Sequence, residues 1–300
     1  MNYAGVELGG TKCVAILARG HDEVLSRETV PTSSPEETLG RIEAVLEKWK
    51  RADGFGALGI ASFGPIDVDR QSGTYGHMLA TSKPGWSHAS VEPRLRAVAQ
   101  VPTVLDTDVN GAAFAEMKWG AGRGMEDFAY VTVGTGVGVG LIVGGRATGG
   151  FGHCELGHIR VARVAGDDWP GSCPFHGDCV EGLVSGSALK ARFGDELSIL
   201  NRDHPVWDVV AWSLGQLCHA IVAAAAPRRI VMGGGVMASQ PHLIGKVQSK
   251  LLESLNGFTS LPAVGDFVRA PELGNDAGPL GSIALAMSAH RQVLVNEAGK

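Results

Sequence analysis

The chain has 300 residues, 44% hydrophobic and 19% charged, enough apolar surface for a substantial core, which excludes global disorder. The length suits one large domain or two lobes sharing a cleft. A formal net charge of -5 with no long Lys/Arg-rich run disfavours a nucleic-acid binder.

In chain order, 5-GVELGGTKCVAIL-17 reads as a strand, a Gly-Gly-Thr-Lys turn and a second strand. The stretch lacks the charged-then-apolar shape of a secretory signal, and Glu7 falls early, so a cytoplasmic protein is expected. Residues 23–30 suit a third strand. The segment 34–52 reads as a helix: Ser34 is placed to cap it, Pro35 fits the first helical position and Glu37 completes a capping box. Its Leu39, Ile42, Val45, Leu46 and Trp49 recur at helical spacing. Residues 57–65 form a small-residue strand ending in a Gly-Pro turn, and 103–122 a buried strand entering a helix that ends in glycines.

Residues 128–133 and 137–143 form a second glycine-turned hairpin, followed by an irregular stretch from Thr148 to about Glu181. An apolar helix over 206–226 is closed by Pro227. Its most apolar run, 217-LCHAIVAAAA-226, falls short of the roughly 20 residues that span a bilayer and holds a His, so no membrane partner is expected. The strand 229–234 enters a Gly-Gly-Gly-Val run and a helix near 239–256. A last helix, 279–293, starts at a proline. Each half thus carries hairpin, helix and strand in related order, which points to an internal duplication with a cleft between lobes.

Glycine lets a backbone approach a ligand and aim successive N–H groups at one place, as a polyphosphate requires. Gly9, Gly10, Thr11 and Lys12 form one such turn, and Gly134, Thr135, Gly136 and Gly138 the other. Neither is a Walker loop or a dinucleotide fingerprint, because a strand-like run, not a helix, follows each. Alone, each suits an ordinary hairpin; both together, with Glu7 and Asp108 nearby in the pattern, indicate phosphate binding. Gly233, Gly234 and Gly235, between a strand and a helix, suit a backbone packed against a nucleotide.

Five cysteines are too odd a number for a complete disulfide framework. Cys13 and Cys218 lie in apolar stretches and read as buried thiols. Cys173, His176 and Cys179 stand as Cys-x2-His-x2-Cys, and His158 lies fifteen positions upstream of Cys173. Two thiolates and two imidazoles make a closed tetrahedral zinc set of the structural kind. His153 and Cys154 are rivals for the fourth ligand.

These segments together resemble the ROK sugar kinases, specifically the bacterial fructokinase branch. The matching pieces are ELGGTK at 7–12, DTDVNGAA at 106–113, VGTGVGVG at 133–140, GHCELGH at 152–158, CPFHGDCVEGLVSG at 173–186 and GGGV at 233–236. They span nearly the whole chain in the family's order. Three departures stand out: Glu7 replaces the usual Asp, Thr107-Asp108 replaces an Asn-Asp pair, and His176 replaces one zinc-binding thiolate. The last, with 83-KPGW-86, points to fructokinase. The family's repressors carry a helix-turn-helix ahead of the first glycine turn, which here stands almost at the start.

The resemblance implies an α/β, actin-like or hexokinase-like (ribonuclease H-like) ATPase fold with an interlobe active-site cleft. The expected lobes are residues 1–113, with a C-terminal helix at about 286–300 packing back on them, and 114–285, carrying a zinc loop at 153–181. The implied reaction is ATP-dependent phosphorylation of a hexose hydroxyl, the 6-OH of fructose, with Asp108 as general base and Asp106 as its rival. Gly64, Asp108, Glu155, His158 and Glu181 would bind the sugar, since carboxylates accept paired hydrogen bonds from vicinal hydroxyls. His158 would ligate structural Zn²⁺ through one ring nitrogen and face the sugar with the other. Mg²⁺ would accompany ATP, held by Glu7 through water, and a homodimer is implied. Alternatives are a mannokinase, glucokinase or N-acetylhexosamine kinase of the same family, a sugar-responsive regulator without turnover, and a zinc-stabilised binding module.

Overall fold

The computed structural model describes residues 1–298, with the side chains of 197–199 and 292–298 excepted. The chain forms two compact units. One comprises 1–123, 149–153 and the segment from Asn275 onward; the other comprises 124–148 and 154–274.

The first unit contains β1 (Tyr3–Leu8), β2 (Lys12–Ala18), β3 (Val24–Pro31), α1 (Pro35–Ala52), β4 (Leu58–Ser62), α2 (Glu92–Ala99), β5 (Thr103–Thr107) and α3 (Asp108–Trp119). The second contains β6 (Phe128–Val133), β7 (Val137–Val143), β8 (Arg146–Ala147), α4 (Val180–Val184), α5 (Gly186–Phe193), α6 (Val206–Ala225), β9 (Ile230–Gly233), α7 (Gly235–Ser239), α8 (Leu243–Leu255), α9 (Val264–Phe267) and β10 (Val268–Arg269). The chain then returns to the first unit as α10 (Ala277–Ala298).

The first sheet runs β3-β2-β1-β4-β5, with β1 antiparallel to β2 and parallel to β4. The second runs β8-β7-β6-β9-β10, with β6 antiparallel to β7 and parallel to β9. Taken in chain order, the two sheets have one and the same topology, so the duplication expected from the sequence is present in the strand order. Each sheet begins with a hairpin, and each hairpin turn is one of the two glycine turns.

Local sequence accounts for most elements. Ser34 caps α1, its hydroxyl accepting from Glu37 N at 3.3 Å, with Pro35 in the first turn. The reciprocal half of the capping box is absent: the Glu37 carboxylate accepts instead from the Ser33 hydroxyl at 2.7 Å. Leu39, Ile42, Leu46 and Trp49 are buried with Leu8, Ile60 and Trp86 in the first unit's core. The second core gathers Val131, Val139, Trp207, Leu214, Ile221 and Leu251. The apolar helix expected over 206–226 is α6, whose 20 residues are long and apolar enough to cross a membrane by length and composition alone. Its buried residues, from Val206 to Val222, are the centre of that core.

The expected division after residue 113 would cut α3 in half; the structure divides after Arg123. The expected assignment of 275–285 to the second lobe also differs, because α10 begins at Ala277 and packs on β1, β4 and α3. Residues 299 and 300 of the expected terminal helix lie outside the described residues. The seat of α10 is made by small residues. A Cβ at Gly59 would lie 1.9 Å from the Ser282 carbonyl oxygen, and one at Gly281 would lie 2.4 Å from the Gly111 carbonyl carbon. Helix backbone therefore touches strand and helix backbone directly, which no larger side chain permits.

Candidate active site

The first glycine turn lies between β1 and β2, and its four carbonyls are all engaged. Gly9 O accepts from the Thr32 hydroxyl at 2.7 Å, Gly10 O from Lys83 Nζ at 2.5 Å, Thr11 O from Thr32 N at 3.0 Å and Lys12 O from Gly9 N at 3.1 Å. Among the described residues, the N–H groups of Gly10 and Thr11 have no such partner, and both residues are exposed. Oxygens tied back and N–H groups left over is the arrangement that receives an anion.

The second turn, between β6 and β7, repeats this design. Gly134 O accepts from Gly186 N at 2.7 Å, Thr135 O from Ser187 N at 3.4 Å and Gly136 O from Gly134 N at 2.9 Å. Two of these donors belong to the first turn of α5, where helical N–H groups lack partners of their own. No helix is expected between Glu181 and residue 206; Ser185, which caps α5 by accepting from Ala188 N at 3.1 Å, is the signal that locates it. The N–H groups of Thr135 and Gly136 are again without partners among the described residues.

Glu181 lies directly beside this turn. Its Oε2 accepts from Val137 N at 3.0 Å, and a Cβ at Gly136 would stand 2.5 Å from it. Gly136 is therefore required by a neighbouring carboxylate. Gly136→Ala is expected to displace Glu181 and, on the sugar-binding role that the family resemblance implies for that carboxylate, to raise the KM for sugar about tenfold or more, since displacements of this scale are costly, with thermal stability little changed. Steady-state kinetics beside a melting curve checks this.

The third glycine run lies against the unit's own sheet. A Cβ at Gly233 would meet the Tyr130 hydroxyl at 2.4 Å, and one at Gly234, with φ +90°, would meet Val133 carbonyl carbon at 2.6 Å. These two glycines pack against the unit's own β6. Only Gly235 faces open space.

In the first unit, Asp108 is the first residue of α3. Thr107 caps the helix, its hydroxyl accepting from Asn110 N at 3.2 Å, which explains why Thr serves where Asn is usual: both are capping residues. Asp108 is half-buried, and its Oδ1 accepts from Val109 N at 2.9 Å. Its rival Asp106 is occupied otherwise: Oδ1 accepts from Asn110 Nδ2 and Thr107 N, each at 2.7 Å. Burial pushes the Asp106 carboxyl above its usual range, opposed by those hydrogen bonds. Asp106 is thus a half-buried brace for the start of α3. Gly64 lies against His153, whose Cε1 would be 3.1 Å from an added Cβ and whose Nε2 faces Ile66 N at 3.3 Å.

Glu7 is on β1, before the first turn. Burial raises its carboxyl to about 7, opposed by the charges of Lys12 and Arg27. The start of α10 presses on it: a Cβ at Gly278 would lie 1.9 Å from Glu7 Oε1. Gly278→Ala is expected to destabilise the protein by about 1–3 kcal/mol, the usual cost of overpacking. Glu7→Asp, one methylene shorter, is expected to restore part of that loss in a denaturant titration.

In the second unit, His158, Cys173, His176 and Cys179 converge, their ligand atoms all within 4.8 Å of one another. His158 Nδ1 is 3.7 Å from Cys173 Sγ and 3.6 Å from Cys179 Sγ, and His176 Nδ1 is 3.6 Å from Cys173 Sγ. Cys173 and Gly177 exchange backbone hydrogen bonds across a tight turn. Cys179 caps α4. Arg163 holds the loop through Asp167, Trp169 and Asp178. The two rival ligands stand apart: His153 faces Ile66 in the first unit, and Cys154 is outside the cluster. With Nδ1 turned to the sulfurs, His158 turns Nε2 to Glu155 Oε2 at 3.9 Å and Glu181 Oε1 at 4.0 Å. Glu155, His158 and Glu181 are therefore one group, joined to the metal-type cluster and to the second glycine turn.

Two α/β units of one topology, each with a glycine turn built to meet an anion, define an actin-like, hexokinase-like fold. The chain belongs to the ROK family, whose profile matches residues 3–289. It is similar to the fructokinase of Zymomonas mobilis subsp. mobilis (strain ATCC 31821 / ZM4 / CP4), with 37% identity over 97% of this chain and 98% of that protein. It is 36% identical to the fructokinase of Lactococcus lactis subsp. cremoris over 95% of this chain and 97% of that one. Among solved structures it resembles the ROK hexokinase from Thermus thermophilus, with TM-score 0.78 and 27% identity over 97% of this chain and 100% of that one.

Proposed function

We propose that this protein is an ATP-dependent fructokinase that transfers the γ-phosphoryl group of MgATP to the 6-hydroxyl of fructose. The observation that carries the phosphoryl chemistry is the pair of glycine turns whose carbonyls are tied back. The choice of sugar rests on the near full-length similarity to two fructokinases.

In this reading, Gly9 to Lys12 and Gly134 to Gly138 receive the nucleotide phosphates, with Gly235 as a further nucleotide contact. Gly233 and Gly234 support it by packing. Asp108 accepts a hydrogen bond from the sugar hydroxyl, aims it, and takes its proton late, because a hydroxyl is too weak an acid to be deprotonated early. Glu155, Glu181 and His158 Nε2 hold other hydroxyls of the sugar, with Gly64 as a further sugar contact. Mg²⁺ arrives with ATP as part of the substrate, and Glu7 orders water around it. Rate comes mainly from positioning and charge stabilisation.

The cluster of two thiols and two imidazoles fits structural zinc by donor type and spacing. Zinc there would lock the tautomer and angle of His158. Free thiols at Cys173 and Cys179 suit a reducing compartment, in keeping with a cytoplasmic enzyme.

The test is ADP release from MgATP across fructose, mannose, glucose, N-acetylglucosamine and N-acetylmannosamine. Fructose is expected to be turned over far faster than the others. Turnover of a different sugar overturns the substrate and keeps the chemistry. Silence with every sugar, in zinc-replete protein that still binds one, overturns the kinase reading in favour of a sugar-responsive regulator.

A further inference from the structure

The K-P-G-W segment at 83–86 lies in a loop that is tightly anchored in the first unit. Trp86 is fully buried, its indole N–H donates to Ser33 O at 2.8 Å, and its ring meets Phe63 edge-on with centroids 5.1 Å apart. Gly85, at φ +77°, turns the chain, and Lys83 N donates to the Thr81 hydroxyl at 3.3 Å. This anchoring carries Lys83 Nζ over the Phe63 ring, 5.8 Å from its centroid, to Gly10 O at 2.5 Å. Among the four carbonyls of the first glycine turn, Gly10 O alone is held by a charged group from a distant segment.

That contact has a directional consequence. In a planar trans peptide, the carbonyl and the N–H point in opposite directions. Fixing Gly10 O toward Lys83 fixes Thr11 N–H away from it, on the side left open for an anion. Gly10 has no Cβ to resist rotation of this peptide, so an external tether decides its orientation. An ammonium has three N–H groups, and the two not used on Gly10 keep a positive charge beside the turn.

We propose that Lys83 is a positioning residue for nucleotide phosphate: it holds the Gly10–Thr11 peptide so that Thr11 N–H faces the phosphate, and it adds charge next to that site. The inference rests on the kinase reading above and assigns a role to a segment that otherwise only marks the branch.

The test compares Lys83→Met and Lys83→Arg with wild type by MgADP calorimetry, by KM for ATP and fructose separately, and by melting temperature. Lys83→Met is expected to weaken MgADP binding and raise the KM for ATP about tenfold, the usual effect of losing one charged hydrogen bond. The KM for fructose and the melting temperature are expected to stay at wild-type values. Lys83→Arg, which keeps charge and donor, is expected to recover most of the nucleotide affinity. Wild-type nucleotide affinity in Lys83→Met overturns the proposal. So does a parallel loss of fructose affinity and melting temperature, which makes Lys83 a strap for the loop and nothing more. A wild-type chain that neither binds MgADP nor releases ADP with any hexose overturns the kinase reading and this inference with it.

Discussion

Asp108→Asn is expected to lower kcat by about 10²–10⁴, the range for loss of a general base, while fructose affinity stays within a few-fold of wild type. Asparagine has the same shape and can still accept from Val109 N, now at 2.9 Å, so the start of α3 should keep its geometry. It can still orient a hydroxyl through its amide oxygen. It cannot take the proton as the phosphoryl group arrives. The informative contrast is Asp106→Asn. Asp106 already accepts from Asn110 and Thr107, so its replacement should move the melting temperature more than kcat. A coupled ADP assay with calorimetry on both variants separates the two roles. Retained turnover in Asp108→Asn, or the larger kcat loss in Asp106→Asn, would remove Asp108 from the chemistry.

The second large effect is expected from the metal-type cluster. Elemental analysis of gently purified protein should find about one zinc per chain. Stripping it with a chelator should lower the melting temperature by about 5–10 °C, because binding energy at such sites is folding energy. The loss should extend to function. His158 presents Nδ1 to two sulfurs and Nε2 to Glu155 and Glu181, so a freed imidazole can rotate and change tautomer. The KM for fructose should rise more than the KM for ATP. Cys179→Ser should reproduce both effects, and added zinc should restore stripped wild type but not the variant. Absence of zinc with full activity would refute the assignment.

The sequence exposed those features that depend on local spacing. The turns at 9–12 and 134–138, the capped helix α1, and the Cys-x2-His-x2-Cys set are legible because each is carried by residues within a few positions. The repeated order of hairpin, helix and strand likewise anticipated two sheets of one topology. What escaped was set by contacts between distant segments. Gly136 and Gly278 look like turn and helix-start glycines, yet each is required by a carboxylate, Glu181 or Glu7, that reaches it from elsewhere. The tether from Lys83 to Gly10 spans 73 positions, and no pattern in either segment announces it. Helices α2 and α5 went unread because each is only 8 residues long, too short for periodicity to rise above chance. Pro93 and Ser185 were their available signals.

The path of the chain also sets a schedule for synthesis. The second unit is nearly continuous, from 124 to 274 apart from the excursion at 149–153, so its strands and helices leave the ribosome together and can condense at once. The first unit opens the chain but is completed only when α10 is delivered. Until then β1, β4 and α3 expose the glycine-lined seat where its backbone belongs. The part of the protein made first is therefore among the last to be finished. A chain truncated after Gly274 and released should carry a folded second unit and a protease-sensitive first one.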